Sequence, residues 1–301
     1  MSDSKNRIIR TALLALALVF MLCGCNWAAQ PSPALDPGPE TVTEDPSPSE
    51  KEPEPYAVKT PEGMAIETRF APPEGFARVP AEEGSFGEYL RTLPLKPDGD
   101  VIYLFDGTIK PDDQFEAVLK LEIGPRDFMR NTNLLIRLRA EYLYQAGLPD
   151  DIEFHFLSGF VFPFAKWAGG DRISVSGNKV DWSAPAAAPD DGPDALKNYL
   201  NTLFIYTNAT SIKQDLLQAV RVEMGHVFVG AGGAVIADMA EDEDGRTAVL
   251  LVRGGDPEQE GYVVTNPGDA DNSPWFIVPE NGILQTPEGE LSVGDLFMFR
   301  K

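Results

Sequence analysis

The 301-residue chain has few of the side chains on which most catalytic and metal-binding sites depend. It contains two cysteines, Cys23 and Cys25, and two histidines, His155 and His226. Because no cysteine lies beyond residue 25, a disulfide, a zinc–thiolate site or a cysteine nucleophile is not expected in the rest of the chain. P-loop, GxSxG and HExxH motifs are also missing, so the sequence indicates no cofactor and no metal.

Positive charge is scarce as well. The chain has 25 lysines and arginines against 47 aspartates and glutamates, which gives a formal net charge of -22. Nucleic acids and anionic membrane surfaces repel such a chain, and we therefore expect no nucleic-acid partner. Solubility is the simplest role for the remaining charge.

The N-terminus has the pattern of a targeting signal. A basic stretch with Lys5 and Arg10 precedes an apolar run from Thr11 to Met21, which is shorter than a membrane-spanning helix needs to be. The run ends in Leu-Cys-Gly-Cys, which resembles the lipobox of bacterial lipoproteins. The resemblance implies a signal peptide over residues 1–24, a lipid such as palmitate on Cys25, and a place in the cell envelope on the extracytoplasmic side of a membrane. A plain secretory signal or a short membrane anchor is the alternative.

Composition divides the rest of the chain into a spacer and a domain. Residues 25–66 are rich in proline and glutamate and poor in apolar side chains, a composition that predicts a disordered, semi-rigid tether. Residues 67–301 are 235 residues of mixed pattern, enough to bury a core, and we predict a single globular domain there.

The stretch from Pro125 to Gly147 predicts the strongest helix of this domain. Asn131, Leu135, Leu138 and Tyr142 fall at three- and four-residue steps and would share one face. Gly147 followed by Pro149 is a helix stop signal. Asn131 is the anomaly, because it is polar in the first turns of an otherwise apolar face.

Strand patterns dominate elsewhere. We predict a hairpin of residues 100–107 with 115–123, a strand from Ile152 to Phe160, short strands around Gly177, and a helix from Asp194 to about Tyr206. Ser211 with Gln214 predicts a capping box on a further short helix. The last third reads as a series of short strands, with a hairpin turn at Asp244-Gly245. Helices followed by meandering strands indicate the α+β class.

Several blocks then carry a family resemblance. They include RFAPPEGFARVP, YLFDGTIK, LRAEYLY, FLSGF, GNKVDW, AVIADMA and NPGDADNSPWF, in this order from Arg69 onward. Together they resemble domain-of-unknown-function family 4846, a group of bacterial lipoproteins. This resemblance implies no established activity.

The order of elements is similar, more distantly, to that of papain-like NlpC/P60 and CHAP domains. That similarity implies a central helix packed on an antiparallel sheet, with a cysteine at the helix start, a histidine before one strand and a polar residue on the next strand. This chain has Asn131, Gly233 and Arg253 at the three corresponding places. A nucleophile without a base cannot be activated, and here the nucleophile is missing too. The three residues would therefore form a degenerate cleft.

Two functions of different classes remain open. The first is a tethered, non-catalytic domain that binds peptidoglycan or another envelope glycan or peptide. The second is an envelope hydrolase that uses carboxylates, which need two acidic groups at the right separation across a cleft. The aromatics Trp167, Trp182, Tyr199 and Trp275 would either line a groove for sugar or peptide or pack in the core. We expect His155 and His226 to have structural roles.

Overall fold

The computed structural model describes residues 56–111 and 114–300. The predicted signal peptide, Cys25 and most of the predicted tether lie outside these ranges. The α-helices are α1 Ile66–Arg69, α2 Phe86–Arg91, α3 Asn133–Gln145, α4 Phe164–Ala168 and α5 Pro193–Ile205. The strands are β1 Phe76–Arg78, β2 Phe115–Val118, β3 Glu153–His155, β4 Val161–Pro163, β5 Arg172–Ser176, β6 Lys179–Ser183, β7 Leu216–Gln218, β8 Val227–Phe228, β9 Ala234–Asp242, β10 Thr247–Arg253, β11 Tyr262–Val264, β12 Trp275–Ile277, β13 Ile283–Thr286, β14 Gly289–Ser292 and β15 Leu296–Phe299. Among the described residues, no helix has the length and apolar character required to cross a membrane.

One large antiparallel sheet organises the domain. Its strands follow the order β2-β11-β10-β9-β8-β15-β7, with β1 paired to β9 and β12 paired to β10. Three separate hairpins, β3-β4, β5-β6 and β13-β14, surround it. This mixture of helices with an antiparallel sheet confirms the predicted α+β class.

Both faces of the sheet are covered, and β9 shows how. Because successive side chains of a strand point to opposite faces, Val235 and Ala237 join a core cluster that also contains the leucines of α3. Ala234 and Ile236 face a second cluster, which includes Leu284 of β13. The long strands β9 and β10 are therefore apolar along most of their length, as expected for a sheet buried on both faces.

The central helix begins later than the sequence pattern predicts. Residues 125–132 form turns, and α3 starts at Asn133. Asn131 thus lies two residues before the helix, with a left-handed backbone (φ 47°), and not within its first turns. The periodicity could not reveal this, because the backbone N–H groups of Phe128 and Met129 donate tertiary hydrogen bonds to Glu258, which holds the preceding segment in place.

Two further predictions are wrong. Residues 100–107 do not form a hairpin with residues 115–123, because β2 pairs instead with β11 from the far end of the chain. Ser211 does not cap the short 3₁₀ helix Ile212–Asp215. Its hydroxyl bonds to the backbone of Asn208, an alternative that serine side chains often take.

Other local predictions are confirmed. The helix predicted from Asp194 to Tyr206 is α5, and it buries Leu196, Leu200 and Leu203. Ile152, Phe154 and Phe156 are buried as the alternation predicts, but the strand predicted from Ile152 to Phe160 is only Glu153–His155, which turns back to pair with β4. The turns at Gly177 and Gly245 join β5 to β6 and β9 to β10.

Residues 56–66, the last part of the predicted tether, have structure of their own. Lys59 forms a bridge with Phe70, and the side chains of Val58 and Ile66 are buried in the core. Val58 and Ile66 belong to the main core cluster, whereas Tyr56 and Met64 are about half exposed.

Candidate functional site

The segment before α3 meets the turn between β8 and β9. Asn131 donates its backbone N–H to the carbonyl of Gly255, just after β10, at 2.9 Å. A Cβ placed on Gly232 would lie 3.1 Å from Asn131 Oδ1 and 2.6 Å from Arg253 Nη2. The start of the central helix, the turn before β9 and the end of β10 therefore converge at Gly232.

Arg253 fills the space at this convergence. Only 3% of the residue is exposed. Nη1 donates to Glu288 Oε2 at 2.8 Å, and Nη2 donates to the Ala231 carbonyl. Nε has no hydrogen-bond partner among the described residues. Glu288, in the β13-β14 turn, also accepts a hydrogen bond from the Tyr262 hydroxyl. The site thus holds one buried cation that is neutralised but not fully hydrogen-bonded.

Gly233 packs closely against the start of α3. A Cβ at this position would lie 2.8 Å from Thr132 Cγ2 and 3.2 Å from Leu135 Cδ1. Its φ of +84° is also one that side chains of L-residues rarely adopt. Any side chain here, including a histidine, would require Thr132 to shift. Asn131, Gly233 and Arg253 are therefore neighbours, but the room among them is taken by Arg253 and Thr132.

Backbone strain is concentrated at the same place. In residues 56–111 and 114–300, Asn131 (φ 47°) and Ala231 (φ 46°) are the non-glycine residues with positive φ. Asparagine tolerates this conformation, whereas alanine pays for it with a close approach of Cβ to its own carbonyl. Strained residues of this kind cluster at functional sites when the surroundings hold them in place.

Two acidic residues of the β10-β11 loop complete the site, and the sequence reasoning missed both. Glu258, 2% exposed, accepts the backbone N–H groups of Phe128 and Met129, each at 2.7 Å. It fixes the segment that carries Asn131. Asp256 is half exposed and accepts a hydrogen bond from Asn131 Nδ2 at 3.3 Å. The GGDPEQEG run looks like an ordinary polar loop, and only the burial of Glu258 reveals its role.

The two histidines have hydrogen-bond partners other than the residues of this site. His155 Nδ1 is 2.5 Å from Asp215 Oδ1, beside a small cavity of about 260 Å³. Burial raises the pKa of Asp215, and the hydrogen bonds from His155 oppose that effect. His226 is buried near the β8 start, with Nδ1 3.1 Å from the Arg221 carbonyl, and burial lowers its pKa.

Of the four aromatics considered for a groove, two are core residues. Tyr199 and Trp275 are fully buried, and burial raises the pKa of Tyr199. Trp182 stacks on Phe162 with ring centroids 5.3 Å apart. Trp167 lines an open groove of about 600 Å³ between α5 and the segment before Asn131.

These features define a class: an α+β domain in which a helix start and two strand ends meet at a polar site without a thiol. Residues 66–297 match the family described as "Domain of unknown function (4846)". The chain belongs to this family, which confirms the family resemblance predicted from the sequence blocks. No curated protein and no solved structure matches the chain.

Proposed function

We propose that this domain binds a peptide or glycan of the cell envelope, without cleaving it, at the partly exposed surface around Asn131 and Gly232, beneath which Gly233 and Arg253 are buried. The observation that carries the proposal is the convergence at Gly232. In papain-like domains, the nucleophile lies at the start of the central helix and the base lies at the turn before a strand. The residue that orients the base lies on the strand that follows. A shared ancestry with such domains is part of the proposal.

The residues present favour binding over catalysis. Asn131 offers an amide donor and acceptor, and it is partly exposed beside Asp256. Arg253 pairs with Glu288, and its guanidinium offers hydrogen-bond donors but no acceptor. Gly233 supplies no side chain, and its surroundings leave no room for one. Nothing at the site can therefore generate a nucleophile in the papain manner.

Anchoring is the second part of the proposal. A lipid on Cys25 would hold the domain at a membrane on the extracytoplasmic side, with the proline-rich stretch as a spacer. Replacement of Cys25 by serine should abolish incorporation of labelled palmitate and release the protein from membranes. Normal labelling and membrane retention of Cys25→Ser would reject the lipoprotein assignment.

Calorimetry with soluble peptidoglycan fragments tests the binding site. Asn131→Gly removes the amide but keeps the left-handed backbone, because glycine adopts a φ of +47° without strain. Loss of one or two hydrogen bonds should weaken binding by about 5- to 10-fold. The matched control is Asn178→Gly, in the exposed β5-β6 turn, which should bind as the wild type does.

Two results would overturn the proposal. One is unchanged affinity in Asn131→Gly. The other is cleavage of the fragments by the wild-type protein. If that cleavage were lost in Asp256→Asn, the protein would be a carboxylate hydrolase, because Asp256 is the half-exposed carboxylate next to Asn131.

A further inference from the structure

The groove that contains Trp167 is separate from the convergence at Gly232 but shares a wall with it. Its volume is about 600 Å³, within the usual range of small-molecule sites. The segment from Gly124 to Phe128, which leads to Asn131, forms one side. The outward face of α5 forms the other.

The α5 wall offers amides that the protein does not use. Asn198 and Asn201 lie three residues apart and therefore on one face of the helix. Asn198 is exposed and Asn201 is partly exposed. Within the described part of the chain, neither side-chain amide makes a hydrogen bond, although Thr202 bonds to the Asn198 carbonyl. Each amide can offer a donor and an acceptor to a ligand.

The groove also contains two arginines without a carboxylate partner. The Arg172 guanidinium lies 4.0 Å from the centre of the Trp167 ring and donates to the carbonyls of Trp167 and Asp171. Arg126 is exposed, with its guanidinium 5.8 Å from the Phe128 ring. Neither forms a salt bridge with any residue in the described ranges. The lining has a single carboxylate, Asp190, which accepts the Gly192 N–H at 2.9 Å.

Charge therefore has the opposite sign in the groove from the chain as a whole. The lining carries two arginines and one aspartate, while the chain has a net charge of -22. An isolated positive site on an acidic surface selects an anion that the rest of the surface repels. Guanidinium groups pair with a carboxylate through two parallel hydrogen bonds.

We propose that this groove binds an acidic glycan, with the carboxylate of a sugar residue at Arg126 and Arg172 and its hydroxyl and acetamido groups at Asn198 and Asn201. Phe128 supplies apolar surface for the pyranose ring, because one face of Trp167 is already covered by Arg172. The inference deepens the proposed function, because it names the chemical class of the envelope ligand and a second place where it binds.

Two disaccharide probes isolate the carboxylate. N-acetylglucosaminyl-N-acetylmuramic acid carries one, and di-N-acetylchitobiose is its neutral counterpart. The wild-type protein should bind the acidic probe about 10-fold more tightly, as one charge-assisted contact predicts. Arg126→Gln should remove that preference and leave the neutral probe unaffected. Asn198→Ala should weaken both probes. Arg221→Gln, which changes an exposed arginine outside the groove, is the control and should match the wild type.

Equal affinity for the two probes, or an unchanged preference in Arg126→Gln, would overturn the inference. So would failure to bind either probe. These failures are distinguishable from failure of the proposed function. If Asn131→Gly leaves binding of peptidoglycan fragments intact while Arg126→Gln weakens it, the groove is supported as the binding site and the Asn131 site is rejected. The reverse pattern rejects the groove.

Discussion

Strand β9 touches two buried arginine–carboxylate groups that differ in how completely they are paired. In its middle, Asp238 is fully buried and binds Arg78 and Arg91, each at 2.7 Å. Both arginines also donate to backbone carbonyls. Before its first residue, the turn at Ala231 meets Arg253, whose Nε is unpaired and whose partner Glu288 is one-quarter exposed.

The difference separates a structural charge group from a candidate binding group. Around Asp238 both carboxylate oxygens accept from arginines, each arginine also donates to a backbone carbonyl, and no residue next to Asp238 has a positive φ. Around Arg253 two strained residues and an unpaired donor coincide. An unpaired buried donor and strained backbone both reduce stability. They are retained in proteins where function requires them. The comparison is measurable as free energies of unfolding.

The largest effect is expected at Asp238. Asp238→Asn keeps the size of the side chain but leaves two arginines facing a neutral group inside the protein. Removing one partner from a buried ion pair costs about 3–5 kcal/mol, which denaturant unfolding would measure. Glu241→Gln, on the exposed part of the same strand, is the control and should change stability little. If Asp238→Asn lowers the free energy of unfolding by less than about 1 kcal/mol, the Asp238 group is not a stabilising structural group.

Gly233→Ala should lower the free energy of unfolding by about 2–4 kcal/mol, the next largest effect. The cost of a left-handed alanine backbone adds to the cost of a tight contact. The new Cβ would stand 2.8 Å from Thr132 Cγ2. Gly245→Ala separates the two causes, since φ there is +80° and nothing lies within 4 Å. It should cost only the backbone term, about 1–2 kcal/mol. Equal losses in both variants would show that the helix start yields easily.

Arg253→Met should lower the free energy of unfolding by a smaller amount, about 1–2 kcal/mol. The Glu288 side chain is one-quarter exposed, so water can hydrate its carboxylate after Arg253 is removed. The same unfolding measurement applies, and Arg91→Met provides the matched loss at the Asp238 group. We expect Arg91→Met to be the more destabilising variant. If Arg253→Met is as costly as Arg91→Met, Arg253 is a structural residue of the same kind.

The smallest effect concerns the pH dependence of stability and another buried arginine, Arg69, which reaches the surface carboxylate Asp98 at 3.3 Å. The hydrogen bond from Lys59, assisted by the charges of Lys59 and Arg69, lowers the pKa of Asp98. A lowered pKa contributes stability above the unfolded value near 3.9, and that contribution is lost as the pH falls through the folded value. Wild-type protein should therefore lose more stability between pH 5 and pH 2 than Asp98→Asn does. Parallel curves would contradict this.

Sequence periodicity was sufficient to predict a helix or strand where the element is amphipathic and local signals mark its ends. Helix α5 and the β9-β10 hairpin are of this kind. It failed where residues distant in sequence determine where an element begins or which strand it pairs with. The start of α3 depends on Glu258, and the partner of β2 is β11. The residues Asn131, Gly233 and Arg253 were singled out only through a resemblance, and their proximity depends on a sheet order that no local pattern encodes.

Strand β15 has a consequence for synthesis. It lies between β8 and β7, both of which precede it in the chain by many residues. A polypeptide leaves the ribosome from its N-terminus, so β8 keeps one bare edge until residues 296–299 have emerged. The turn that follows β8 carries Ala231 and the two glycines of the site. Strand β8, which leads into that turn, therefore gains its second neighbour only when the last strand has been made, and an unfinished chain exposes an edge on which other strands can pair.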